Sequence, residues 1–140
     1  MTQEPIMSGR LPTVLLHHIL PTGSHYDWLF ATPDDPAGLL WAGRVRFPVA
    51  HWLRMHRFII TVLPPHRRRY LRYQGRLTPK HGQNRGRVRR VAQGWLIPRL
   101  WTPARFVLEI HLPQRIGILT AVRLDARRWR ARWTSLPGAQ

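Results

Sequence analysis

The chain has 140 residues, 44% of them hydrophobic, and a formal net charge of +17 from 23 Lys and Arg residues against 6 Asp and Glu residues. This length is ordinary for one domain, and the apolar content is enough for a packed core, which excludes extensive disorder. The chain contains no cysteine, so disulfides and thiolate metal sites are excluded, and no apolar run approaches the roughly 20 residues that cross a bilayer.

The charge is the strongest compositional signal. Lys80 is the only lysine, and a surface this rich in arginine attracts polyanions, nucleic acid above all. A GC-rich genome explains the ratio of Arg to Lys, but it does not explain the shortage of carboxylates. The first ten residues lack the basic start and apolar stretch of a signal peptide. We therefore expect a monomeric, cytoplasmic, nucleoid-associated protein with no membrane partner.

The first half of the chain reads as short strands separated by proline and glycine turns. After an expected flexible tail over 1–12, strands are predicted at 13–19, 25–31, 39–47 and 57–63. The sequence Pro-Thr-Gly-Ser at 21–24 predicts a turn that joins the first two strands into a hairpin. A short helical turn is expected over 48–55, and a proline pair at 64–65 ends the fourth strand.

The second half continues the same pattern. An alternating segment over 70–77 and a loop over 78–86 come first, and strands are then predicted at 86–94, 95–101, 105–112, 115–124 and 127–133. Short strands with a turn signal about every 8–12 residues are typical of an antiparallel sheet closed into a barrel or sandwich. We predict a mainly β protein, a small antiparallel β-barrel with short helical turns, as one domain over 13–134 with a tail over 135–140.

Candidate metal ligands surround the predicted hairpin turn. His25 and Asp27 are two residues apart on a strand, so their side chains point to one face, and His18 precedes the turn and can lie opposite them. Two imidazoles and a carboxylate suit a divalent ion such as manganese or zinc. By itself, a His-x-Asp pair beside a turn is more often an ordinary surface feature.

A second cluster follows the proline pair at 64–65. It consists of a histidine, three cations and a phenol hydroxyl: His66, Arg67, Arg68, Arg69 and Tyr70. Together these groups can bind and polarise a phosphate. Taken alone, a solvated basic loop with its tyrosine in the core is the simpler interpretation.

The two clusters together resemble a known family. The segments LLHHILPTGSHYDWLF and PPHRRRYLRYQG are similar to the 3′-phosphoesterase domain of bacterial DNA ligase D and to its small stand-alone relatives. That family has a histidine, a short turn and His-Tyr-Asp or His-Trp-Asp, then a histidine four residues before a tyrosine, then an aromatic residue, an acidic or amide residue and glycine. The matching positions are His18, His25-Tyr26-Asp27, His66, Tyr70 and Tyr73-Gln74-Gly75. The likeness spans about residues 13–134.

The resemblance implies a β-barrel that acts in DNA repair. Such a domain removes a 3′ phosphate or a terminal 3′ ribonucleoside from DNA or RNA ends and leaves a 3′ hydroxyl, and a repair ligase or polymerase is its expected partner in trans. By motif, the resemblance implies that His18, His25 and Asp27 bind manganese, with zinc as the alternative ion. It also implies that His66 and Tyr70 contact the scissile phosphate.

Two features depart from the ligase D pattern. The family has an arginine two residues after the aspartate, where this chain has Leu29. The alternative function is therefore a catalytically inactive nucleic-acid-binding barrel, and the arginines at 67–69 are candidates to supply the missing charge. The turn is also one residue longer, which makes His17 a rival of His18, since only one of two adjacent side chains on a strand can face the site.

Two further features leave alternatives open. Glu109 and His111 share one face of a predicted strand; the glutamate can hold a ligand histidine, although an ion pair with an arginine is favoured. Most of the seven tryptophans are expected in the core. Trp28 follows Asp27 and points the opposite way, so its place is open between the core and stacking on a base.

Overall fold

Antiparallel strands dominate the computed structural model, which describes residues 9–52, 57–113 and 115–137. Two short 3-10 turns lie at Val49–His51 and Arg68–Leu71. Numbered in chain order, the strands are β1 (Leu11–Leu20), β2 (Gly23–Phe30), β3 (Leu40–Val45), β4 (Phe58–His66), β5 (Gly75–Arg76), β6 (Arg87–Trp101), β7 (Arg105–Leu112), β8 (Arg115–Arg123) and β9 (Arg128–Ser135).

Eight of these strands close into a barrel. Their order around the ring is β1-β2-β3-β4-β9-β8-β7-β6, and a pairing between β6 and β1 completes the ring. The ninth strand, β5, pairs with the first residues of β6, on the edge that β7 leaves free. The prediction of a small antiparallel β-barrel with short helical turns is confirmed.

Several element boundaries differ from the prediction. β1 begins at Leu11, inside the predicted tail, because this residue already pairs with Leu96 on β6. The strands predicted at 86–94 and 95–101 are one continuous strand, since the first part of β6 pairs with β1 and the last part with β7. The segment 70–77 is mainly a 3-10 turn and a loop, and only Gly75–Arg76 is strand.

Parts of three predicted segments lie outside the described residues. These parts are 1–8 of the N-terminal tail, 53–55 of the helical turn and 138–140 of the C-terminal tail. The described part of the helical turn contains the 3-10 turn at Val49–His51.

Aromatic side chains fill the barrel interior. Trp28 on β2 and Trp41 on β3 lie 6.5 and 5.5 Å from Phe106 on β7, measured between ring centroids. Because β7 neighbours neither strand, these contacts cross the barrel. The indole N–H of Trp28 donates to the hydroxyl of Thr13 at 2.8 Å, and that hydroxyl donates to the Leu29 carbonyl at 2.9 Å. Trp28 therefore belongs to the core, and its buried polar groups are satisfied.

One outer wall of the barrel is also covered. Because side chains alternate along a strand, Asp27 points away from the interior that holds Trp28. Asp27 is nevertheless only 4% exposed. The chain between β4 and β6 folds back over β1, and the side chain of Arg90 fixes it there by donating to the carbonyls of Leu71 and Arg72. The space between this segment and the wall forms a cleft.

Three hydrogen-bonded side chains on β6 and β7 make the free energy of unfolding depend on pH. Arg99 donates to Glu109, and Nε2 of His111 donates to Oε2 of Glu109 at 2.5 Å. This is the arginine ion pair favoured by the sequence, and it lies outside the cleft. The hydrogen bond from His111 and then the one from Arg99 hold the pKa of Glu109 below its ordinary value.

A depressed carboxyl pKa stabilises the fold above the ordinary glutamate range, and this contribution is lost as the pH falls through the lower pKa of the folded state. We expect Glu109→Gln to lower the free energy of unfolding by about 1 kcal/mol at pH 7. The difference between the two proteins should shrink at pH 3, as measured by urea unfolding. A difference that stays constant between the two pH values would mean that the charge of Glu109 contributes nothing.

Candidate metal centre and phosphate cleft

The β1–β2 hairpin brings three potential ligands together. Its register places His18 opposite His25 and Leu16 opposite Asp27, and directly opposed residues share one face of the sheet. Nδ1 of His18 lies 3.1 Å from Nε2 of His25 and 3.8 Å from Oδ2 of Asp27. Nε2 of His25 lies 3.5 Å from Oδ1 of Asp27. Gly23 opens β2 with φ 145°, an angle that other residues rarely adopt.

These separations match the ligand set of a divalent ion. In a tetrahedral site with bonds of about 2.1 Å, ligand atoms lie about 3.4 Å apart. The two histidine nitrogens are 3.1 Å apart, and they lie 3.8 and 3.5 Å from the Oδ2 and the Oδ1 of Asp27, respectively. Taken with one atom per residue, the three donors lie within 4.8 Å of one another. Two neutral imidazole nitrogens and one carboxylate oxygen suit manganese or zinc. The group could therefore bind a divalent metal, and its donors do not distinguish manganese from zinc.

A carbonyl behind His18 fixes the tautomer of that histidine. Nε2 of His18 lies 2.8 Å from the carbonyl oxygen of Arg85, which can only accept a hydrogen bond. Nε2 therefore carries the proton, and the lone pair of Nδ1 faces His25 and Asp27. Ligand histidines in metal sites are commonly oriented by such a partner. The adjacent Gly86 has φ 73° and leaves no room for a Cβ beside the Ile19 carbonyl, so the loop lies directly against β1.

The structure separates the two adjacent histidines of β1. The ring of His17 stacks on Tyr26 at 4.6 Å between centroids, on the opposite face of the hairpin, so His18 and not His17 joins the cluster. Burial lowers the pKa of His25, Arg44 adds to this effect, and Asp27 opposes it. A lowered pKa favours the neutral imidazole, which is the form that binds a metal.

Two of the three residues, His18 and Asp27, line a basic cleft with a volume of about 650 Å³, and His25 contacts both of them. One wall comes from β1, β2 and β3, and the other comes from the end of β4 and the chain leading to β6. Asp27 is the one acidic residue among the described residues that line it. The cations that line it are Arg44, Arg67, Arg69, Arg76, Lys80 and Arg85. A concave surface with this balance of charge attracts anions.

The residues of the second cluster occupy different places. His66 and Tyr70 both line the cleft, with ring centroids 5.8 Å apart. Arg67 and Arg69 line it as well, and the guanidinium of Arg69 lies 5.5 Å from the ring centroid of Tyr70. Arg68 does not line the cleft. Its guanidinium donates to the carbonyl of Pro36 at 2.8 Å and so ties the turn to the β2–β3 loop.

Sequence reasoning missed Arg44. The β2–β3 register places Arg44 opposite Asp27, and its Nε lies 3.4 Å from Oδ1 of that carboxylate. The side chain is 43% exposed and lines the cleft. A lone arginine in an otherwise apolar strand was the available signal. Leu29, where ligase D has an arginine, is fully buried, so here the cation beside the aspartate comes from the neighbouring strand.

The fold and the site together define the class of protein: a closed eight-stranded β-barrel with a His-His-Asp group beside a basic cleft on its outer wall. No protein-family model matches the chain, and no curated protein matches it significantly. Across the described segments, no helix has the length and hydropathy of a transmembrane span. The likeness to ligase D domains rests on the sequence motifs alone.

Proposed function

We propose that the protein is a metal-dependent 3′-end phosphoesterase of DNA repair, which removes a 3′ phosphate or a 3′ ribonucleoside from DNA or RNA ends. One observation carries this proposal. His18, His25 and Asp27 converge at a cleft that His18 and Asp27 line together with His66 and Tyr70. Metal ligands, cations and a proton donor then surround the space that one phosphate would fill.

The metal would be held by Nδ1 of His18, Nε2 of His25 and a carboxylate oxygen of Asp27. Manganese is the ion we propose, and zinc is the alternative. When bound, such an ion polarises phosphate oxygens and lowers the pKa of a coordinated water. His18 already directs its lone pair into the site, and His25 must carry its proton on Nδ1 to do the same.

Arginines of the cleft would orient the phosphate. A guanidinium binds two phosphate oxygens at once, which fixes the group as well as neutralising its charge. Arg44 lies beside Asp27 and supplies a cation next to the ligands, and Arg67 and Arg69 supply two more from the opposite wall. In this proposal Arg44 takes the place of the arginine that ligase D carries two residues after its aspartate.

His66 is the proposed general acid. Its Nδ1 lies 2.9 Å from the carbonyl oxygen of Pro64 and must donate to it, which leaves Nε2 as the nitrogen that exchanges protons. A protonated Nε2 can give its proton to the oxygen that leaves the phosphorus as water adds. The hydroxyl of Tyr70 would hold a phosphate oxygen in place.

The alternative is a catalytically inactive barrel that binds nucleic acid. The net charge of +17 and the absence of an arginine at Leu29 favour it. Both functions predict salt-sensitive binding to nucleic acid, but only the first predicts turnover that depends on the metal ligands.

A primer–template substrate distinguishes the phosphoesterase from the inactive nucleic-acid-binding barrel. A primer–template with a 3′ phosphate or one 3′ ribonucleotide is incubated with manganese or with a chelator, and the primer ends are resolved at single-nucleotide resolution. We expect conversion to a 3′ hydroxyl with manganese and none with the chelator, while a primer that already ends in a deoxynucleotide 3′ hydroxyl stays unchanged. Tight binding without conversion would reject the phosphoesterase in favour of the inactive barrel.

A further inference from the structure

A row of arginines runs along the outside of β9. Arg128, Arg130 and Arg132 are exposed and alternate with the buried residues Trp129 and Ala131. Alternation along a strand puts all three guanidinium groups on one face. Successive members of the row are about 6.8 Å apart along the strand, close to the spacing of neighbouring phosphates in a nucleic-acid strand.

The neighbouring strands do not neutralise this row. Arg130 lies between Ile59 on β4 and Val122 on β8, and Arg132 lies opposite Thr120. Like charges on one sheet face repel one another and reduce stability. Within the described residues, neither Arg130 nor Arg132 has a side-chain hydrogen bond or ion pair. Both guanidinium groups are therefore available to a polyanion.

The end of the row is fixed by a turn. The backbone N–H groups of Arg127 and Arg128 both donate to Oδ1 of Asp125 at 2.9 Å, and Nε of Arg128 donates to Oδ2 at 2.9 Å. The carboxylate thus holds the β8–β9 turn and the first arginine of the row. This leaves Arg130 and Arg132 as the two members with unshared charge.

The row lies beside the cleft. β4 pairs with β9 through Phe58–Thr61 and lines the cleft with its later residues, from Leu63 to His66. A nucleic-acid strand that leaves the cleft past this edge meets β9 on the adjacent part of the barrel surface.

We infer that Arg128, Arg130 and Arg132 form a second contact surface, which binds the phosphate backbone of DNA or RNA upstream of the 3′ end in the cleft. The row matches a line of phosphates in charge and spacing, and arginine suits phosphate geometry. The choice of nucleic acid as the polyanion rests on the proposed function. The observation that the guanidinium groups of Arg130 and Arg132 are unpaired within the described residues is independent of the proposed function.

Salt dependence of DNA binding tests this surface. Binding of a duplex of about 20 base pairs, long enough to reach beyond the cleft, is measured by fluorescence anisotropy over a range of salt concentrations in the presence of a chelator. The slope of log K against log salt is negative, and each lost phosphate contact reduces its magnitude by about 0.9. We expect Arg130→Gln/Arg132→Gln to reduce the magnitude of the slope by about 1.8 and Arg130→Lys/Arg132→Lys to keep most of the wild-type slope.

The matched control is Arg87→Gln/Arg89→Gln, which removes the same charge at the same spacing from β6, far around the ring from β9. We expect this pair to change the slope by less than half as much. Equal losses in both variants would mean diffuse attraction and would overturn the inference, as would an unchanged slope. Loss of binding to phosphatidylserine vesicles with the DNA slope unchanged would assign the row to lipid and would also overturn it.

DNA binding in chelator tests the contact surface, whereas manganese-dependent processing tests the proposed phosphoesterase. Binding in chelator requires no turnover, so a reduced slope together with no manganese-dependent processing would support the surface and reject the phosphoesterase. Manganese-dependent processing together with an unchanged slope in Arg130→Gln/Arg132→Gln would support the phosphoesterase and reject the contact surface.

Discussion

Asp27→Asn is expected to reduce manganese-dependent processing of a 3′ phosphate by at least about 100-fold, since even indirect partners of metal ligands are worth 10- to 100-fold. Asparagine keeps the shape of the buried side chain but removes the charge that two histidines and Arg44 face. A divalent ion loses its one anionic ligand. Duplex binding in chelator should persist, because it depends on arginines outside the cluster as well.

The control for this substitution is Asp34→Asn. Asp34 is exposed and does not line the cleft, so the change in net charge is identical while the candidate metal centre stays intact. We expect wild-type processing from the control, and a thermal shift on adding manganese in the control but not in Asp27→Asn. Processing that survived in Asp27→Asn would show that these three residues are not the metal ligands.

Trp28→Ala is expected to destabilise the protein by about 3–5 kcal/mol, the range for truncating a buried large aromatic residue. The indole packs beside Phe30 and Trp52, with centroids 4.7 and 5.8 Å away, and across the barrel against Phe106 at 6.5 Å. The substitution also removes the donor to the hydroxyl of Thr13. Urea unfolding of both proteins at one pH measures the difference.

Trp101→Ala serves as the comparison for Trp28→Ala. Trp101 lies at the end of the barrel and is only half-buried, so we expect less than half the loss. An equal loss from both substitutions would mean that the two walls of the barrel do not pack through Trp28.

The class of fold was readable from the sequence because apolar residues alternate along most strands. Phe106, Leu108 and Ile110 are buried in the observed β7 as their alternation indicates. Local patterns do not encode which strands become neighbours, so the continuity of β6 was missed. Gly94 looks like a break, but it sits where the His111 carbonyl approaches the backbone too closely for any Cβ.

The candidate site was readable only in part. The spacing of His25 and Asp27 and the hairpin turn suffice to place His18 near them. Arg44 and the carbonyl of Arg85 reach the cluster through pairing and loop closure, which depend on tertiary structure. For the same reason the sequence could not show that Arg68 would turn toward the β2–β3 loop.

Anomalous diffraction from a crystal soaked in manganese tests the central claim, that the hairpin holds a divalent ion in a phosphate-binding cleft. We predict one strong anomalous peak within about 2.3 Å of Nδ1 of His18, Nε2 of His25 and a carboxylate oxygen of Asp27, and its loss in Asp27→Asn. An empty cluster at millimolar manganese, or a peak elsewhere that Asp27→Asn leaves intact, would contradict the claim.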